Sequence, residues 1–212
     1  MILNGILIVD KPINLTSRDV VNKVCKALKT KKIGHTGTLD PIATGVLVLC
    51  IGKATKLVDV ITSEDKEYVA TVKLGILTDT FDVDGKVIKT GSITLDKEKL
   101  VDTLNSFIGT YNQEVPIYSA IKVNGKRLYE YARSGKKVTL PKRSVTIKSI
   151  KLLSSSKDSY KFKVLVSKGT YIRSLIRDIN DKLGIIGVMS GLKRIKQGNF
   201  DIKDAISLDD IE

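Results

Sequence analysis

Metal chemistry has almost nothing to work with in this sequence. Its 212 residues hold one histidine, His35, and two cysteines, Cys25 and Cys50. No cysteine pair stands at ligand spacing, which argues against a zinc site and against zinc-dependent base deamination. Both cysteines lie in apolar-periodic segments, where a reduced core thiol is the expected state. No hydrophobic run approaches the length that spans a bilayer. The opening MILNGILIVDKP has no basic leader, and its apolar run is too short for a signal peptide. A cytoplasmic protein is expected. Acidic residues are also scarce, with 23 Asp and Glu against 36 Lys and Arg, a formal net charge of +13. Such an excess favours a polyanionic partner, because neutralised phosphates release counterions. The alternative is a solvated lysine-rich surface.

With 42% hydrophobic residues, the chain can bury a substantial core. Gly5 to Asp10 reads as a buried strand ended by Lys11-Pro12, and Thr16-Ser17 as the cap of a helix carrying Val20, Val21, Val24 and Leu28. Val46 to Ile51 (VLVLCI) is rich in strand formers, and Ala54 to Ile61 reads as a short helix. Tyr68 to Leu74 alternates like a half-buried strand, and Asp84-Gly85 marks a turn. Asp96 caps a helix through Leu100, Leu104 and Phe107. Arg127 to Arg133 reads as a short helix stopped by Gly135. Two strands flank SSSKDS (154–159), Thr170 to Leu183 has a helical apolar stripe, and Leu192 to Ile195 reads as a last strand. Leu208 to Ile211 reads as a small terminal helix. The elements follow no regular βαβ rhythm. An α+β fold is therefore expected, with a mixed, mainly antiparallel sheet and flanking helices.

The segment KKIGHTGTLDPIATGVLVLCIGKATK (31–56) sets Asp40 in a glycine- and threonine-rich loop just before the apolar strand. Gly52-Lys53 fails as a phosphate loop, because the spacing from Gly45 is wrong and Ala54 stands where Ser or Thr is required. Glycoside hydrolysis normally needs a second carboxylate, which Asp59 or Asp79 would have to supply. Pro41 biases Asp40 toward extended backbone. Its carboxylate either lies at the rim of the core or makes a local turn hydrogen bond. Arg173 falls in the first turn of its helix, where the dipole disfavours a cation and a carboxylate partner helps. The residues by themselves reach a basic nucleic-acid-binding domain with one isolated acid, not a reaction.

That loop, GHTGTLDPIATGVLVLCIGKATK, resembles the central motif of the TruB family of tRNA pseudouridine synthases. GILIVDKPINLTS, EYVATVKLGILTDTFDVDG, VPIYSAIKVNGKRLYEYARSG, SKGTYIRSLIRD and LKR resemble the family's other motifs, in family order. The resemblance implies the pseudouridine synthase fold over 1–212, with a thumb-like RNA-binding insertion near 112–142 and the C-terminal PUA-type domain of bacterial relatives absent. It implies isomerisation of uridine to pseudouridine in the T loop of tRNA (position 55), without metal or cofactor, by a monomer with no obligate protein partner. Asp40 would be the catalytic carboxylate, Arg173 its paired arginine, and Tyr68 the tyrosine stacked on the target base. Tyr171 and Leu192 would line the uridine pocket, and His35 would stack in the RNA site. Lys11 would be a structural or phosphate contact, and Lys126, Arg127 and Arg133 would grip the RNA backbone. The alternatives are an RNA-binding or tRNA-folding protein without catalysis, and a guide-dependent relative acting on ribosomal RNA.

Overall fold

The computed structural model describes residues 3–211. In chain order the first elements are β1 (Gly5–Lys11), α1 (Ser17–Ala27), β2 (Ile33–His35), β3 (Ala43–Ile51), α2 (Val58–Ser63) and β4 (Lys66–Leu74). Next come β5 (Ile76–Thr78), β6 (Val87–Thr90), α3 (Lys97–Asn105), β7 (Gly109–Glu114), β8 (Lys122–Val123), β9 (Lys126–Arg127) and α4 (Leu128–Arg133). The last are β10 (Lys142–Ser155), β11 (Ser159–Val166), α5 (Ile172–Leu183), β12 (Gly187–Gln197), β13 (Phe200–Asp201) and β14 (Ile206–Ser207). Strand pairs are mainly antiparallel, with β1–β14 and β3–β12 parallel, which makes this the expected α+β fold. The chain forms two compact units, Met1–Ala70 with Lys163–Lys168 and Gly191–Glu212, and Thr71–Phe162 with Gly169–Ser190.

In the first unit, β3 is central. It pairs β1 along its length, β2 at Leu49 to Ile51, and β12 at Ala43 to Gly45. Both of its faces are covered, which explains why VLVLCI is unbroken rather than alternating. Leu47, Leu49 and Ile51 pack with Val20, Val21 and Val24 of α1, while Val46, Val48 and Cys50 pack with Ile61. Each such side chain, fully buried, contributes roughly 1.5–3 kcal/mol. At the start of α1, Thr16 and Asp19 close a capping box, with Asp19 N donating to Thr16 Oγ1 at 3.1 Å and Thr16 N to Asp19 Oδ2 at 2.8 Å.

In the second unit, β7 pairs β10 antiparallel from Gly109–Ile147 to Glu114–Lys142. α3 lies against β10 and α5. Leu100, Leu104, Val145, Ile147, Leu175, Ile176 and Ile179 form its apolar interior. The Tyr160 hydroxyl donates to Asn180 Oδ1 at 2.8 Å, and Asn180 Nδ2 donates to the Gly187 carbonyl at 3.0 Å, so these buried polar groups are satisfied.

The expected elements differ from the structure mainly at their edges and where pairing is non-local. Ala54 to Ile61 is a 3-10 turn (Gly52–Leu57) that runs into α2. The strand expected at Leu192 to Ile195 is β12 and extends from Gly187 to Gln197, because pairing carries it well beyond its apolar centre, and the short β13 and β14 follow it. The helix at 170 begins only at Ile172, after an extended Tyr171. The expected short helix at 127–133 is α4, and a hairpin turning at Asn124-Gly125 leads into it. The small terminal helix is a 3-10 turn, Leu208–Asp210.

Candidate active site

Within the first unit, the segment from His35 to Gly45 is held almost entirely through its backbone. Thr36 N donates to the Val48 carbonyl at 3.0 Å. The Ser17 hydroxyl accepts from Leu39 N at 2.8 Å. Asn14 N donates to the Pro41 carbonyl at 2.9 Å, and Ala43 N to the Asp40 carbonyl at 3.0 Å. Gln197 Nε2 donates to the Thr36 carbonyl at 2.8 Å and to the Ile61 carbonyl at 3.0 Å. A loop whose peptide groups are satisfied in this way presents its side chains at defined positions. Asp40 is half-buried at the point where the loop meets β3.

Two buried cations flank the start of β3. In register, Lys11 of β1 and Arg194 of β12 stand on opposite sides of Gly45. Lys11 is 0% exposed, and its Nζ donates to the carbonyls of Pro12 (2.9 Å), Leu15 (2.5 Å) and Pro41 (3.3 Å). Burial pushes the Lys11 ammonium down to about 8, against the pull of the Asp40 and Asp19 carboxylates. The Asp40 charge therefore reaches Lys11, whose ammonium faces protein carbonyls rather than a solvent-side phosphate.

Leu192 stands opposite Ala43 in the β3–β12 pairing, and Tyr68 is buried at 8% exposure on the inward face of β4. His35 ends β2, and its Nδ1 is buried without a hydrogen-bond partner among the described residues. Burial, and then the charges of Arg18 and Arg194, hold its imidazole below the usual range, so it is neutral at pH 7. Asp59 is exposed on α2. Lys66 is another buried cation, pushed down to about 8 by burial first and Arg194 second.

Within the second unit, Arg173 is 6% exposed in the first turn of α5. Its guanidinium donates to the carbonyls of Thr80 (3.1 Å) and Tyr118 (3.0 Å), and Asp82 Oδ2 lies 3.7 Å away. Asp82 is thus a carboxylate partner of the kind that a cation at a helix N-terminus requires, and sequence reasoning had not singled it out. Asp79 accepts from Lys86 N at 2.8 Å. Tyr171 precedes α5 with its backbone bound by the Gln113 amide. Lys126, Arg127 and Arg133 are exposed. Arg127 and Arg133 approach the Tyr129 ring, at 5.9 and 5.4 Å from its centroid, a cation–aromatic cluster suited to nucleic-acid contact.

Sequence reasoning also missed Arg194, Gln197, Ser17 and Gln113. Nothing in their residue types signals a role, since each acts on backbone far away in the chain. Ser17 was read with Thr16 as a helix cap. Thr16 alone caps, which leaves the Ser17 hydroxyl for Leu39.

Residues 25–172 match the family described as TruB family pseudouridylate synthase (N terminal domain). This chain belongs to the TruB family. Among its relatives in that family, tRNA pseudouridine synthase B of Clostridium tetani is 50% identical over 210 residues, covering 99% of this chain and 73% of its own. The Bacillus subtilis protein of the same name is 45% identical over 217 residues, covering 99% of this chain and 70% of its own. Among solved structures, a Cbf5–Nop10–Gar1 complex contains a chain matching at TM-score 0.77 and 32% identity, over 97% of this chain and 53% of that one. A solved pseudouridylate synthase, at 15% identity and TM-score 0.50 over 98% of this chain and 69% of that one, shares the fold. Among the described residues, no helix is long and apolar enough to cross a membrane.

Proposed function

We propose that this TruB family member isomerises uridine to pseudouridine in tRNA, at position 55 of the T loop. The observation that carries the reading is Asp40, a single carboxylate on a loop whose backbone is tied down by buried side chains. Isomerisation needs no water and no outside group. The N1–C1′ bond breaks, the uracil turns while bound, C5 bonds to C1′, and the C5 hydrogen leaves as a proton. One ionised acid in a protected site suffices, either adding to the ribose or removing a ribose proton.

Tyr68 and Leu192 are assigned to the base, and Tyr171 to the same uridine. Arg173 carries over from the family resemblance as the companion cation. His35 is assigned to stacking: a neutral imidazole offers an aromatic face without competing for the acid's proton. Flipping a T-loop uridine costs a few kcal/mol, which phosphate contacts by Lys126, Arg127 and Arg133 would offset. The protein is proposed to work as a monomer on the T arm of tRNA, in the cytoplasm.

The test is tritium release from an isolated T-arm hairpin labelled at C5 of uridine, with no guide RNA present. Release by the wild type, and its loss in Asp40→Asn with hairpin binding retained, supports the proposal. Binding without release identifies an RNA-binding protein instead, and release only with a guide RNA identifies a guide-dependent enzyme.

A further inference from the structure

Arg194 is a fully buried guanidinium, 1% exposed and the bulkiest of the fully buried side chains. Burying a charge is costly unless it is paired, yet among the described residues none of its hydrogen bonds goes to a carboxylate. Nε donates to the Val46 carbonyl at 2.7 Å, and Nη2 donates to the Gly37 carbonyl at 3.1 Å. These two carbonyls bracket the Asp40 segment, one on entry to the loop and one on exit into β3. Nε and Nη2 form one edge of a planar fork, so a single rigid group fixes both ends of the segment.

The surrounding backbone is fitted to this group. Gly37 has φ +145°, and a β-carbon there would lie 3.3 Å from Nη1. Gly45 has φ +98°, and a β-carbon there would collide with the backbone carbonyl of Arg194. The guanidinium thus lies close against Gly37, and the Arg194 backbone leaves no room for a side chain on Gly45. After burial, its charge is also among the causes that hold the basic groups of Lys11, His35 and Lys66 down. A buried cation that lowers its own neighbours is poorly explained by stability alone, because an apolar side chain of similar volume avoids that penalty.

We infer that Arg194 is a positioning residue for the reaction, stapling the two ends of the Asp40 loop through the Gly37 and Val46 carbonyls. The inference rests on the proposed role of Asp40. Its geometric half, the staple, stands apart from that role and is tested separately.

The experiment uses the whole chain with Arg194→Lys, which keeps the charge but offers a point donor in place of a fork, and with Arg194→Gln. Hydrogen exchange by mass spectrometry is read on peptides covering residues 36–47 and on α1 as internal control. Arg194→Lys is expected to speed exchange in 36–47 by about tenfold or more and to leave α1 unchanged. On the T-arm hairpin, kcat of Arg194→Lys is expected to fall at least about tenfold and that of Arg194→Gln about a hundredfold, with KM within roughly threefold of wild type. If Arg194→Gln does not fold, Arg194→Lys alone carries the test. Unchanged exchange in 36–47 overturns the staple, whatever the enzyme does. Faster exchange in 36–47 with kcat per folded molecule unchanged overturns the positioning role. If the wild type releases no tritium, the proposed reaction fails and with it the positioning role, while the exchange result still decides the staple.

Discussion

Gln113 clamps the backbone of Tyr171 in both directions. Tyr171 N donates to Gln113 Oε1 at 2.8 Å, and Gln113 Nε2 donates to the Tyr171 carbonyl at 3.1 Å. The same Nε2 lies 2.7 Å from the Tyr111 hydroxyl, which itself donates to Asp178 at 3.2 Å. At 1% exposure, the glutamine has no water to replace these partners. Gln113→Leu keeps the volume and removes the three hydrogen bonds that the amide itself makes. It is expected to destabilise the protein by about 1–2 kcal/mol, since Tyr171 N loses its Gln113 acceptor while the Tyr171 carbonyl still accepts from Leu175 N and the Tyr111 hydroxyl still donates to Asp178. A urea titration showing a lower midpoint at constant slope checks this, and a midpoint equal to wild type refutes the clamp.

Gly45 lies just inside β3, between Lys11 and Arg194 in the strand register. Its φ of +98° and the Arg194 carbonyl both exclude a β-carbon. Gly45→Ala therefore combines backbone strain with overpacking, and a loss of about 3 kcal/mol or more is expected. Gly135, also at positive φ but with open space around it, is the control. Gly135→Ala is expected to cost about 1 kcal/mol from strain alone. Equal thermal midpoints for the two variants would contradict the close approach.

His35 gives the protein a pH dependence of known sign. Burial lowers its pKa in the folded state, while the unfolded chain titrates near 6.5. Below pH 6.5 the unfolded state holds more protons, so acid favours unfolding; at pH 7.5 both states are neutral and the effect vanishes. His35→Asn removes this contribution. Between pH 7.5 and 5.5 the wild type is expected to lose more stability than the variant, and parallel losses would show that His35 is not held neutral.

Arg127 and Arg133 flank Tyr129 on the exposed α4 segment. If each neutralises one phosphate, Arg127→Ala and Arg133→Ala each weaken hairpin binding, and the slope of log affinity against log salt becomes shallower by about 0.7–0.9 per lost contact. Filter binding at several salt concentrations measures this. An unchanged slope would place the RNA backbone elsewhere.

Tightening Asp82 on Arg173 is the last case. The pair stands at 3.7 Å with both groups buried. Asp82→Asn removes the carboxylate that stands 3.7 Å from this buried guanidinium, and a loss of about 3 kcal/mol is expected from breaking a buried pair. Calorimetry on the variant decides it, and a neutral result would assign the compensation to another carboxylate.

The local elements are legible in the residues alone, and the loop's isolated acid with them, while its chemistry came from the likeness of the motif to a family. Apolar periodicity marked α1 and α5, because a face that must be buried repeats at the period of its own backbone, and unbroken apolar runs marked β1 and β3, whose strands are short and rich in β-formers. The motif around Asp40 likewise pointed to the family, since its glycines, its proline and its acid are contiguous. Tertiary structure decided the rest. β7, with the polar sequence GTYNQE, is a strand because β10 pairs with it, and β14 because β1 does. Arg194 meets Gly37 across 157 positions, Gln113 meets Tyr171 across 58, and Ser17 meets Leu39 across 22. A hydrogen bond to backbone carries no trace in the partner's residue type, because every residue offers the same carbonyl. Only the fold shows which side chain takes which one.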